Sequence, residues 1–380
     1  MAETSRAPRT HESHGSRRSP VGGKFAGLAI TLAASFAAAI LLLLIFAEDF
    51  PTALRLFFLS PFGNKYYFGN MLASTVPLML AGLGVSLAFA SRNFNLGGEG
   101  QVYAGGLAAV VVCLMMPDAP PGIVQILAAL AGAAAGGGIG SVSGALKRSL
   151  GVDELISSFL ISASVVLIVD YLITGPFQDQ SSNFQTTMAI APALRFARIM
   201  QPSSLSTGIF LGLAICLLAK LTLDRTRFGY ELRVFGSNGE FAKYCGIDTG
   251  LYTLLPMGLS GALHGLAGAA MIMGSYYKAM KGFSGGVGWS AISVALIAHN
   301  NPLAVIPSAF FLAYLEAGAK SVMVGSNVSS EIVAVVQSVI FFLITAKITE
   351  KLVGPSRRRA KKKTEAGTGR TATRQEEAQR

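Results

Sequence analysis

The 380-residue chain is 52% hydrophobic and 13% charged, with a formal net charge of +11. Soluble domains carry roughly a quarter of charged residues, so this composition excludes a soluble enzyme or binding domain and indicates a membrane protein. The charge is segregated: residues 1–25 hold five Lys/Arg against two Glu, and residues 351–380 hold ten against three, so the long middle is almost neutral. With no folded basic domain, no nucleic-acid partner is expected. The run RRRAKKK at 357–363 reads as an orientation signal beside the lipid bilayer.

A crossing helix needs about 20 apolar residues. Ten segments come close to or meet that length: 25–46, 67–90, 100–116, 122–146, 154–174, 204–221, 251–274, 286–299, 302–319 and 331–348. The expected fold is an all-α polytopic membrane protein of about ten transmembrane helices. It would comprise a basic tail at 1–24, a membrane domain at 25–350 and a second basic tail at 351–380. The first segment is longer than a signal-peptide core and lacks a small-x-small cleavage site, so it reads as a retained helix. An even number of spans puts both termini on one side, and their basic character makes that side cytoplasmic. Arg92, Lys147, Arg148 and the loop at 224–250 then fall inside, and the polar stretch 175–203 falls outside.

The third and eighth spans are short, and each begins in a glycine cluster, Gly97-Gly98-Glu99-Gly100 and Gly285-Gly286-Val287-Gly288. If spans two to five and seven to ten are equivalent halves, these are matching members of inverted repeats. Glycine-interrupted segments in matching positions point to a transport pathway. Gly132, Gly136, Gly140 and Gly144 recur every four residues, as do Gly261 and Gly265, making smooth ridges for close helix packing. The string GGIGSVSG lies inside a span, and no G-x-x-x-x-G-K-[ST] loop occurs, so the chain has no P-loop for ATP.

The polar loop contains a recognisable helix start. Ser237 and Glu240 fit a reciprocal capping box, with Gly246 as the left-handed terminator of a short helix. Phe241, Tyr244 and Cys245 share one face of it, a surface suited to a partner on the cytoplasmic side. Three ionisable residues sit in spans: Asp170 near an outer end, His264 in the seventh, and Glu316 one turn from Lys320 in the ninth. Each reads first as a locally satisfied side chain and second as a solute or ion site. Cys113, Cys216 and Cys245 have no metal or disulfide spacing, and no nucleophile stands beside a base. No enzymatic activity and no bound cofactor or metal are expected of the chain itself.

Four strings, in order, carry a resemblance. FNLGGEGQ (94–101), RVFGSNGEFAKYCGI (233–247), SGALHGLAGA (260–269) and GWSAISVALIAHNNPLA (288–304) are similar to signatures of bacterial ABC-importer permeases for nucleosides and simple sugars. The resemblance implies a pore-forming subunit with a cobalamin-importer-like architecture and two inverted halves. The implied partners are a second permease subunit, copy or paralogue, an ATPase subunit that holds ATP-Mg, and an external solute-binding protein in a bacterial inner membrane. It makes Ser237, Asn238, Glu240, Phe241, Tyr244 and Gly246 the ATPase-coupling helix, and alternating access by rocking of helices the mechanism. Asn95, Glu99 and Gln101 fall on the motif's polar positions and become pathway or gate candidates, together with Asp170 and Trp289; a structural role for the first three, ordering the broken helix start through backbone hydrogen bonds, stands equally open. Two departures stand out. The family's Gly-Phe-Asp is Gly288-Trp289-Ser290 here, and Asp170 stands where the family often has Asn. Both leave a riboflavin-like heterocycle open as solute beside nucleosides and sugars. An ion-coupled secondary transporter using Asp170, Glu316 and His264 is the competing reading.

Overall fold

The computed structural model describes residues 44–326, and scattered positions within 33–41 and 328–342. Helix α1 (Phe50–Gly63) leads into α2 (Lys65–Ala90), followed by α3 (Gly98–Met115), α4 (Pro121–Leu150), α5 (Glu154–Thr174) and α6 (Gly208–Arg225). Two shorter helices, α7 (Arg227–Ser237) and α8 (Gly239–Tyr244), occupy the polar loop. Helix α9 (Thr249–Met271) ends in a π-helical turn (Ile272–Tyr276), and α10 (Val287–Ile297) and α11 (Pro302–Gly325) complete the described bundle. The described chain is nearly all-helical, as expected, with only isolated β-bridges such as Gln178 to Thr187.

Among the described residues, six helices are long and apolar enough to cross a membrane: α2, α3, α4, α5, α9 with its π turn, and α11. Helix α10 is apolar but has only 11 residues, which matches the short eighth segment. The expected first span at 25–46, the tenth at 331–348 and the two basic tails lie largely or wholly outside the described residues. Helix α1 was not anticipated. Its start is locally encoded, because Asp49 Oδ1 accepts the Thr52 N–H (3.2 Å) and Pro51 lies in its first turn. It packs on α11, where a Cβ at Gly318 would lie 2.4 Å from the Phe57 carbonyl oxygen.

Helix α9 is central, packing on α4, α3 and α2. The glycine ridges do what their spacing predicts. A Cβ on Gly136 would sit 2.2 Å from the Gly261 carbonyl oxygen, and one on Gly265 would sit 2.0 Å from that of Gly132. The backbones of α4 and α9 therefore touch, and this contact replaces the side-chain interdigitation of a soluble core. Gly265→Val must separate the two helices along their length, so a loss beyond about 4 kcal/mol is expected. Folded protein, measured as monodisperse elution after membrane extraction, should fall to background, whereas Gly138→Ala, a site with open space around it, should elute normally.

Candidate transport core and coupling surface

The two glycine clusters meet inside the bundle. Gly236 of α7 packs on the Ala90 carbonyl, so α2 ends at the α7–α8 end of the bundle, where α9 begins. The chain then turns back from that end through 91–97 to start α3, and from the opposite end through 277–286 to start α10. Two matching connections thus enter from opposite ends, as inverted halves require. Their helix starts touch: a Cβ on Gly288 would lie 2.2 Å from the Glu99 nitrogen. The level is deep, because Gly98 abuts His264, about 22 Å along α9 at 1.5 Å per residue.

Glu99 joins the two starts. Its Oε1 accepts from Ser284 Oγ (2.5 Å) and the Gly286 N–H (3.0 Å), and its Oε2 accepts from the Gly288 N–H (2.9 Å). Helix α10 has no cap of its own, since Gly286 at its N-cap offers no side chain. The carboxylate on α3 therefore caps α10 in trans, where the N-terminal partial charge favours an anion.

Asn95 and Gln101 are both fully buried and form a reciprocal amide pair. Asn95 Nδ2 donates to Gln101 Oε1 (2.9 Å), and Gln101 Nε2 donates to Asn95 Oδ1 (3.0 Å). Asn95 also donates to Ser260 Oγ (3.0 Å) and accepts the Gly97 N–H (2.9 Å). The rest of the connection hangs on α5. Glu154, Ser158 and Ser162, at successive i+4 positions, accept the N–H groups of Phe94 (3.4 Å), Leu96 (3.0 Å) and Gly100 (2.8 Å). Lys147 bridges Glu154 (2.7 Å) and Asn93 Oδ1 (2.9 Å). This ladder was not anticipated from the sequence. Its signal was a polar residue every fourth position along an otherwise apolar helix.

The three isolated ionisable groups find separate partners. Tyr103 donates to Asp170 Oδ1 and accepts the Gly282 N–H (2.6 Å), tying α3, α5 and the 277–286 connection together. His264 is fully buried; its Nδ1 lies 2.7 Å from the Ser260 carbonyl, and its Nε2 has no hydrogen-bond partner. Ser290 Oγ donates to Glu316 Oε1 at 3.4 Å, and among the described residues Lys320 forms no ion pair within 4.0 Å, with Glu316 or any other carboxylate. None of the three hydrogen-bonds to another. Trp289 is half exposed, its ring 6.0 Å from that of Phe159 on α5.

The α7–α8 hairpin corrects one expectation. Ser237 does not cap α8 and forms no capping box with Glu240; it is the last residue of α7, and its hydroxyl donates to the Arg233 carbonyl (2.8 Å). Asn238, in extended backbone at φ −156°, caps α8 instead by accepting the Phe241 N–H (3.1 Å). The adjacent Asn takes over because a residue in helical backbone cannot present its side chain to the next helix's first turn. Gly246 terminates α8 in the left-handed region at φ +75°, as expected. Ala242 is buried beneath α8, while Phe241, Tyr244 and Cys245 are exposed, Tyr244 at 88%. Tyr230, Arg233, Val234, Ser237, Asn238 and Phe241 line a groove of about 310 Å³ between the two helices.

The hairpin's base is braced. Arg227 pairs with Glu231 (2.5 Å), Glu231 Oε2 accepts from the Tyr252 hydroxyl (2.8 Å), and Phe228 stacks on Tyr252 at 5.7 Å. The Arg227 guanidinium, then the Tyr252 hydroxyl, hold the Glu231 carboxyl below the usual carboxylate range. A depressed carboxyl stabilises the fold above its unfolded pKa, and that contribution disappears as pH falls through the folded value. Amide-exchange protection of α7 should therefore hold from neutral pH down to about pH 4 and weaken below it. In Glu231→Gln this acid-induced weakening should be absent.

Residues 67–345 match the family model described as the permease component of the branched-chain amino acid transport system. The chain belongs to this family. Among its relatives, a probable riboflavin import permease of Treponema pallidum is 31% identical over 84% of this chain and 84% of its own. A guanosine ABC transporter permease of Bacillus subtilis is 32% identical over 77% of this chain and 84% of its own. A glucose ABC transporter permease of Haloferax volcanii is 30% identical over 77% and 80%. Members of this permease family are transport components rather than enzymes.

Proposed function

We propose that this chain is the membrane-spanning permease subunit of an ATP-driven ABC importer for a small polar solute, coupled through α8 to a separate ATPase. The observation that carries the reading is the exposed Phe241–Tyr244 edge on a hairpin braced to α9, whose helix also supports the Glu99 junction. A push on α8 is transmitted through Glu231–Tyr252 into α9, and from α9 into the starts of α3 and α10. ATP-Mg belongs to the partner ATPase, and both basic termini lie on its side of the inner membrane, flanking a membrane domain at 25–350. An external solute-binding protein delivers the solute at the opposite end.

The interior at Glu99 is packed backbone to backbone, and Asn95 and Gln101 hydrogen-bond each other. These three residues therefore act as the lock that holds the broken helices. The solute path lies between this chain and a second permease subunit, with Trp289 on the exposed surface. Relatives named for guanosine, riboflavin and glucose support a nucleoside, a simple sugar or a flavin-like heterocycle as solute. The competing ion-coupled carrier lacks support, because Asp170, His264 and Glu316 are bonded apart from one another. Uptake of guanosine, riboflavin and glucose into intact cells separates the readings. Cellular uptake of one of them that survives a protonophore while ATP is maintained is expected. Uptake that collapses with the proton gradient would overturn the importer reading.

A further inference from the structure

A groove of about 190 Å³ opens on the bundle surface between the start of α2 and the end of α11. Tyr66, Tyr67, Asn70 and Ser74 line one side, and Lys320 and Ser321 line the other. Its depth is set by the helices. Tyr66 and Tyr67 are in the first turn of α2, and Lys320 is five residues from the end of α11 at Gly325, about 8 Å at 1.5 Å per residue. The groove therefore sits at the level where lipid headgroups meet the hydrocarbon, on the bundle end opposite α7 and α8.

Its chemistry is dominated by donors. Asn70 Oδ1 is committed to the Ser204 N–H and hydroxyl, both at 2.8 Å, and among the described residues the amide Nδ2 has no hydrogen bond. Lys320 is exposed and, among the described residues, forms no ion pair within 4.0 Å. The Tyr66 and Tyr67 rings pack edge to face at 5.5 Å and bring two phenols to the same rim. Ser321 donates to the Ala317 carbonyl (2.9 Å), leaving its oxygen lone pairs aside from the count of donors. A lysine, an amide N–H₂ and two phenols at headgroup level, beside the apolar walls Met71 and Val324, fit a phosphate diester with its chains running down the helices.

We propose that this groove holds the headgroup of an acidic phospholipid, with Lys320, Asn70 and the two tyrosines contacting its phosphate. The full chain, extracted from membranes into nanodiscs of equal phosphatidylglycerol and phosphatidylethanolamine, is examined by native mass spectrometry. Retained phosphatidylglycerol is expected on the wild type, lost about tenfold in Lys320→Gln and kept in Lys320→Arg. Asn70→Asp, which keeps the acceptor for Ser204, should also lose the lipid. Normal elution of each variant separates a folding defect from loss of binding, and the Lys320→Arg comparison stands even if Asn70→Asp fails to fold. Equal retention in Lys320→Gln, equal retention of phosphatidylethanolamine, or displacement by inorganic phosphate would each overturn the proposal. An ordinary aromatic belt with a snorkelling lysine predicts the first of these results.

Discussion

Phe241→Asp is expected to abolish solute uptake while leaving the amount of permease in the membrane unchanged. The two halves of that statement have different causes. Phe241 is 56% exposed at the tip of α8, so its loss empties no core and should change stability by less than about 0.5 kcal/mol. An exposed aromatic that anchors a partner carries about 2 kcal/mol or more of binding, and a buried carboxylate in its place adds a desolvation cost. Docking should therefore weaken roughly 30-fold or more. Tyr244, still more exposed, should give a similar loss on Tyr244→Asp, whereas Ala242→Asp, buried beneath the helix, should lower abundance as well. The measurements are uptake and immunoblot abundance in the same cells. Full uptake with Phe241→Asp would mean that α8 is a surface link and nothing more.

Glu99→Ala should damage the molecule from within. It removes the acceptor of Ser284 and of two backbone N–H groups, those of Gly286 and Gly288, at a junction where Gly288 touches the α3 backbone. A fully buried unsatisfied donor costs about 1–3 kcal/mol; Gly288 is buried and Gly286 partly buried, so the pair gives at most about 6 kcal/mol. Both the melting temperature of the purified complex and uptake should fall. Glu99→Gln keeps one carbonyl oxygen and should recover part of the melting temperature, with less recovery of uptake because the charge at two helix starts is gone. A neutral result for Glu99→Ala in both measurements would show that water reaches the α10 start.

Much of this architecture is legible in the sequence because membrane helices declare themselves by apolar length. The glycine ridges at Gly132–Gly144 and Gly261–Gly265 also announce a contact that requires the absence of side chains. The two glycine clusters were recognisable as matching interruptions, but that they touch each other was not. That contact depends on two connections returning from opposite ends of the bundle, a tertiary fact with no local signature. The sequence leaves Glu99 open between a pathway acid and a brace of the broken helix start; its bonds to the α10 backbone favour the brace and show that the start it holds is that of α10. The short-range error at Ser237 and Asn238 has another origin. Both residue types cap helices, and only the backbone angle at 238 decides between them. Helix α1 was overlooked because it is too short to span, although Asp49 and Pro51 mark its start.

The most direct test is purification of the tagged permease from cells that also express its neighbouring ATPase and solute-binding protein. ATP hydrolysis is then assayed with nucleosides, pentoses, hexoses and riboflavin. The account predicts that an ATPase co-purifies, that one solute class stimulates hydrolysis through the binding protein, and that Phe241→Asp removes both. A permease that purifies without any ATPase, yet still moves solute in response to an ion gradient, would contradict it.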